Sequence, residues 1–114
     1  EHRVLTAVGL ADWKHGAAVR VAGLVLVRQR PGTAKGITFV TLEDETGTIN
    51  LVVHQATWDK FYQVARRSPA WVVWGRLERK FTVTHVIARQ LFDCGSFLQQ
   101  TPHSIAPQTS RDFR

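Results

Sequence analysis

Apolar and polar positions along most of this chain follow the two-residue period of a strand, and one stretch adopts the 3.6-residue period of a helix. Over residues 19–28 both parities are apolar: Val19, Val21, Val25 and Val27 on one, Ala22, Leu24 and Leu26 on the other, with Gly23 between. This predicts a long strand, buried on both sides or bent at Gly23 so that it serves two sheets. Residues 37–42 and 48–54 are further β-rich runs joined by the polar turn Glu43-Asp44-Glu45-Thr46-Gly47, which together predict a hairpin. In its second strand Ile49, Leu51 and Val53 share one face, so Asn50 and His54 are expected in solvent. Trp58, Phe61, Tyr62 and Ala65 then recur at i, i+3, i+4 and i+7, the stripe of a helix whose aromatics face the core. Arg66 and Arg67 fall in its last turn, where the helix dipole favours cations, and Ser68-Pro69 ends it. Two more β-rich runs follow, one alternating Trp71, Val73 and Leu77 with Val72, Trp74 and Arg76, the other over residues 81–91. Ahead of them all, Thr6 can cap a short helix with Leu10 and Trp13 on one face and Gly16 as its stop.

With 114 residues, 44% of them hydrophobic, the chain is long enough for one core and too short for two domains. The order predicts a lead-in over 1–16, a β-β-β-α-β-β domain over 17–94 and a Pro-, Gln- and Ser-bearing tail over 95–114. No apolar run reaches the ~18 residues of a membrane span, and the N-terminus lacks the pattern of a secretion signal. The lone Cys94 has no internal disulfide partner and suits a reducing compartment. A soluble, cytoplasmic module is expected. Fifteen Lys and Arg against nine Asp and Glu give +6, which favours polyanionic partners once the charge is shown to be local.

Five strands with a helix between the third and fourth is the plan of the OB-fold, an all-β, partly open barrel that takes ligands across strands 2 and 3 and the flanking 1–2 and 4–5 loops. On that plan Arg28, Arg30 and Lys35 fall at the first loop, and Arg76, Arg79 and Lys80 at the second. Single-strand binders combine such rims with aromatic platforms, for which Phe39, Trp74 and Phe81 are the candidates. Thr41, Asn50 and His54 share the strand 2–3 face with Phe39. Trp74 has two readings, stacking a base or packing beneath the N-terminal helix.

The segments VRVAGLVLVRQRPGTAKG (19–36), FVTLEDETG (39–47), HVIARQLFD (85–93) and SRDFR (110–114) resemble the C-terminal OB domain of bacterial C-family DNA polymerase alpha subunits, in particular the error-prone, ImuC-type members. The resemblance covers most of the chain from about residue 16. It implies a non-catalytic module that contacts single-stranded DNA template during lesion-tolerant synthesis, with the remainder of the polymerase, ImuB, ImuA and the sliding clamp as partners. The catalytic carboxylates of that family lie in a palm domain with no counterpart here, so no polymerase activity is expected of this segment. Phe39, Leu42, Asp44, Gly47 and Asn50 are also spaced as in the anticodon-binding OB domains of class II aminoacyl-tRNA synthetases. There the aromatic stacks on a base and a Gln at the last position reads it; this chain has the shorter Asn50.

Other motifs carry less. Glu43-Asp44-Glu45 suits a turn before Gly47 better than a metal site, the five scattered His make no zinc pairing with Cys94, and Gly32-Thr33-Ala34-Lys35-Gly36 lacks the spacing of a phosphate-binding loop. No metal, cofactor or catalytic nucleophile is predicted, and the domain is expected to be monomeric. Gln90-Leu91-Phe92-Asp93 loosely matches short clamp-docking peptides, and the tail around Phe113 is a candidate partner peptide. The alternative function is therefore a protein-docking module that tethers the polymerase to its partners or to the clamp.

Overall fold

The computed structural model describes residues 4–32 and 36–95. Five strands, β1 (Ala18–Gln29), β2 (Ile37–Asp44), β3 (Gly47–His54), β4 (Ala70–Lys80) and β5 (Val83–Asp93), close a barrel in the order β1-β2-β3-β5-β4. Two short helices, α1 (Gln55–Lys60) and α2 (Tyr62–Arg67), lie between β3 and β4. Lys35 and residues 96–114, which hold nearly all of the expected tail and Phe113, lie outside the described residues.

In β3 the inward face is the one the alternation indicates, Ile49, Leu51 and Val53. Val19, Val21, Val40, Leu42, Ile49, Leu51, Val53, Trp71, Val73, Leu77, Val86 and Leu91 form one buried core. Full burial of each such side chain is worth about 1.5–3 kcal/mol. Strand β1 serves two neighbours: Ala18 to Leu24 pair with β4, and Leu24 to Gln29 pair with β2. The change of partner comes where a Cβ on Gly23 would lie 2.6 Å from the Glu43 carbonyl oxygen, so only glycine lets β2 approach so closely.

Two features depart from expectation. A β-bulge between Val25 and Val27 shifts the register of β1. Val25 opposes the inward Leu42, whereas Arg28 opposes the inward Val40, so the bulge turns the even positions beyond it inward. Strand β1 also runs on through Gln29, which makes Arg28 a strand residue and not part of the loop. Second, the single helix expected over residues 58–67 is broken at Phe61 (φ −111°, ψ 34°). That turn brings the Phe61 ring edge-on to Phe92 at 6.1 Å between centroids. It also leaves Tyr62 42% exposed instead of in the core, while Trp58 and Phe61 are partly buried against the core.

The N-terminal lead-in is a 3-10 turn over Val8–Asp12, preceded by Thr6, whose hydroxyl accepts from the Gly9 amide at 2.9 Å. It ends at Asp12, four residues short of the expected Gly16. Asp44 Oδ2 accepts from the Ala7 amide at 2.7 Å, fastening this segment to the β2–β3 hairpin. Asp44 Oδ1 accepts from Thr46 and Gly47, so the acidic run is a turn, as its spacing suggests.

Candidate nucleic-acid interface

Register places the β2–β3 face. Ile37 opposes His54, Phe39 opposes Val52, and Thr41 opposes Asn50, all on the outer side because Thr38, Val40 and Leu42 are buried inside. Asn50 and His54 are exposed, and Phe39 is partly so. Val52, between Phe39 in β2 and Ile87 in β5, is only 8% exposed although it points outward. Apolar surface thus supports Phe39 from one side, and Gln29, its partner in β1, borders it on the other.

Next to this face the barrel opens. Strands β3 and β5 are parallel and pair only at Leu51–Val86 and Val52–Ile87, so their neighbouring segments diverge. The gap is a groove of about 360 Å³, with Thr48, Ile49 and Asn50 on one wall, Thr82 to Val86 on the other, and Ala7 and Leu10 at its back. Sequence reading missed Thr48, Thr84 and His85, because nothing in alternation reveals a parallel partner so far along the chain.

At the end of that wall stands Phe81. It is 96% exposed and is the first residue of the two-residue turn between Lys80 and Val83, with φ 56°. Hairpins usually give such a position to glycine, and a side chain there carries strain of order 1 kcal/mol or more.

The cations are distributed differently from a simple rim. Arg28 donates from Nε to the Ala65 carbonyl and from Nη2 to the Ser68 carbonyl, both at 2.8 Å, closing the C-terminal end of α2. Partial burial lowers its pKa from the ordinary arginine value. Arg30 donates from Nε and Nη2 to Thr38 Oγ1 at 3.1 and 2.9 Å. Arg76 donates to the Gly16 carbonyl at 2.7 Å, and Arg79 to the carbonyls of Trp13 (2.7 Å) and Leu10 (3.0 Å). Lys80 is exposed beside Phe81.

Trp74 lies on the outer side of β4, across the barrel order from β2 and β3. Its ring meets Phe92 edge-on at 5.4 Å, and the Arg20 guanidinium sits 4.0 Å above it. It therefore packs, in a groove it shares with Leu5 and Trp13, and is not brought together with Phe39. The segment Gln90 to Asp93 completes β5 with Leu91 fully buried, so it is not a free docking peptide.

The strand 2–3 face, with the loops that flank it, is where this barrel architecture takes up oligonucleotides. The family model for the OB-fold nucleic acid binding domain matches residues 19–93. The chain belongs to that family. It is 56% identical over 91 residues to the error-prone DNA polymerase of Rhodopirellula baltica, covering 80% of this chain and 8% of that protein. It is 46% identical over 108 residues to the error-prone DNA polymerase of Caulobacter vibrioides, covering 92% of this chain and 10% of that protein. This OB domain therefore spans a tenth or less of the length of the polymerases it matches. Among solved structures, asparaginyl-tRNA synthetase from Pyrococcus horikoshii superposes with a TM-score of 0.67 at 19% identity, over 82% of this chain and 23% of that one. That likeness is one of fold.

Proposed function

We propose that this OB domain binds single-stranded DNA template for an error-prone polymerase during translesion synthesis. The strand enters past His54, crosses Phe39, Thr41 and Asn50, follows the groove beside Asn50 and reaches Phe81 and Lys80. The observation that carries this reading is Phe81: an aromatic ring held in a strained turn and almost wholly in water is unfavourable for folding, and a stacked base offsets that cost. Phe39 supplies a second platform, each stack being worth about 1–3 kcal/mol. Backbone tracking with a single short amide reads little sequence. The module performs no chemistry itself, and the rest of the polymerase, with ImuA, ImuB and the clamp, would act on the strand it holds.

Anisotropy titrations with oligo-dT test this. Neutralising ~4–6 phosphates predicts a log–log salt slope of about −3 to −4. Phe39→Ala and Phe81→Ala should each weaken binding about 5- to 150-fold without changing that slope. Affinity unchanged in both variants sinks the reading. Leu24, Leu26 and Val27, all more than 40% exposed on β1, favour a second reading in which this face docks another protein. A partner retained at high salt, lost on Leu24→Ser and indifferent to Phe39→Ala would establish it.

A further inference from the structure

The helical end of the barrel carries a basic groove that the β2–β3 path does not use. It holds about 360 Å³ and is lined by Arg28, Arg30, Thr38, Trp58, Tyr62 and Arg66. Its two rings are each paired with a guanidinium: Arg30 lies 5.5 Å from the Trp58 centroid and Arg66 5.7 Å from that of Tyr62. The three arginines meet in one groove whose lining, among the described residues, contains no carboxylate.

We infer that this groove is a second subsite for single-stranded nucleic acid, taking one phosphodiester between Arg30 and Arg66 and stacking one base on Tyr62. Three like charges around one cleft repel, and an anion between them relieves that repulsion. A guanidinium lying over a ring keeps its N–H donors at its edge, the geometry that grips phosphate oxygens in pairs. Arg30 has committed Nε and Nη2 to Thr38, which fixes its plane and leaves Nη1 to the groove. Among the described residues the Tyr62 ring is the side-chain partner of Arg66. Tyr62 is 42% exposed, so its ring offers a face to a base. The same alternating ring and cation chemistry suits a nucleic acid better than an acidic peptide, which offers carboxylates but no planar stack.

The path is continuous with the first. Thr38, which anchors Arg30, directly precedes Phe39 on β2, and Arg30 follows Gln29, the β1 partner of Phe39. A strand leaving Phe39 needs only to turn over the barrel rim to enter the groove. The inference rests on the proposed binding of single strands, and oligonucleotide length separates the two. OB folds occupy about 4–16 nucleotides, so a dT 4-mer probes the β2–β3 face alone and a dT 12-mer reaches both sites.

The test measures both oligonucleotides by anisotropy on the 114-residue chain, with thermal melts to verify folding. Tyr62→Ala should weaken the 12-mer about fivefold or more and leave the 4-mer unchanged. Arg66→Gln should flatten the 12-mer salt slope by about 0.7, and Arg66→Lys should restore it. Phe39→Ala should weaken both lengths. If Phe39→Ala weakens binding while Tyr62→Ala and Arg66→Gln keep wild-type 12-mer affinity and slope, the subsite is overturned and the β2–β3 reading stands. If none of the three has an effect, both fall. A Glu-rich 12-residue peptide that displaces dT 12-mer at equal concentration, and loses that ability on Arg66→Gln, also overturns the nucleic-acid assignment in favour of a protein partner.

Discussion

Arg79 donates from Nη1 to the carbonyl oxygen of Trp13, 66 residues earlier, at 2.7 Å. Its Nη2 reaches the Leu10 carbonyl, and its own backbone amide donates to His15 Nδ1. The residue therefore acts as a clasp between β4 and the N-terminal lead-in. Hydrogen bonds from charged donors are worth about 1.5–3 kcal/mol when removed. Arg79→Ala should lower stability to urea by about that amount and raise hydrogen exchange at the Leu10 and Trp13 amides. An unchanged denaturation midpoint with unchanged protection would refute the clasp.

Asp44 links pH to the same region. Desolvation pushes its pKa up, but hydrogen bonds from the Thr46 hydroxyl and the amides of Ala7, Thr46 and Gly47 outweigh this and leave the carboxyl below its ordinary value. A carboxyl with a folded pKa below its unfolded value of about 3.9 stabilises the fold above that pH, and its contribution disappears as pH falls through the folded pKa. Asp44→Asn should therefore be less stable than wild type at pH 7, and the gap should narrow below about pH 4. Urea midpoints between pH 3 and 7 measure it; a gap independent of pH would show that the charge contributes nothing.

Two glycines should behave oppositely. A Cβ on Gly75 would lie 2.3 Å from the Ile87 carbonyl oxygen and 2.9 Å from Val86 Cγ1, next to the register shift between β4 and β5. Backbone cannot yield as a side chain does, so Gly75→Ala should cost at least the 1–3 kcal/mol of ordinary overpacking. Among the described residues no atom lies within 4 Å of the same position on Gly32, and Gly32→Ala should be neutral or stabilising by up to about 1 kcal/mol. Thermal melts of the pair decide this, and equal shifts would contradict it.

Burial raises the Cys94 thiol pKa, and the neighbouring Asp93 charge raises it further. Because the thiolate is the reactive form, Cys94 should react with a disulfide reagent at pH 7 several-fold more slowly in the folded chain than in urea. Equal rates would show that its surroundings are open and electrostatically neutral.

The sequence was most informative where a side chain's direction depends on simple alternation. Ile49, Leu51 and Val53 inward and Asn50 and His54 in solvent follow from the two-residue period, as does the hairpin, whereas alternation in β2 permits Phe39 outward with Val40 and Leu42 inward and does not by itself require it. That Arg28 shares a face with the inward Val40 was not legible, because one extra residue at the bulge reverses parity, and a bulge is visible only against the partner strand. Tyr62 had perfect helical spacing with Trp58, yet the turn at Phe61 toward Phe92 rotates it to the surface. Arginine counts show how much charge is present; they do not show which donors are already committed to carbonyls, as they are in Arg28, Arg76 and Arg79.

The divided pairing of β1 has a topological consequence. Leu24 is matched to Ala70 of β4 and to Glu43 of β2, so the ring is joined at that point by the covalent chain of one strand. New termini placed between Gly23 and Leu26 would unroll the barrel into a sheet with two bare edges, the form most prone to pair with other copies of itself. Permutation at an external turn such as the one at Thr46 would leave the circle intact. The site where β1 bends is thus also the site where continuity of the chain leaves the barrel without those two edges.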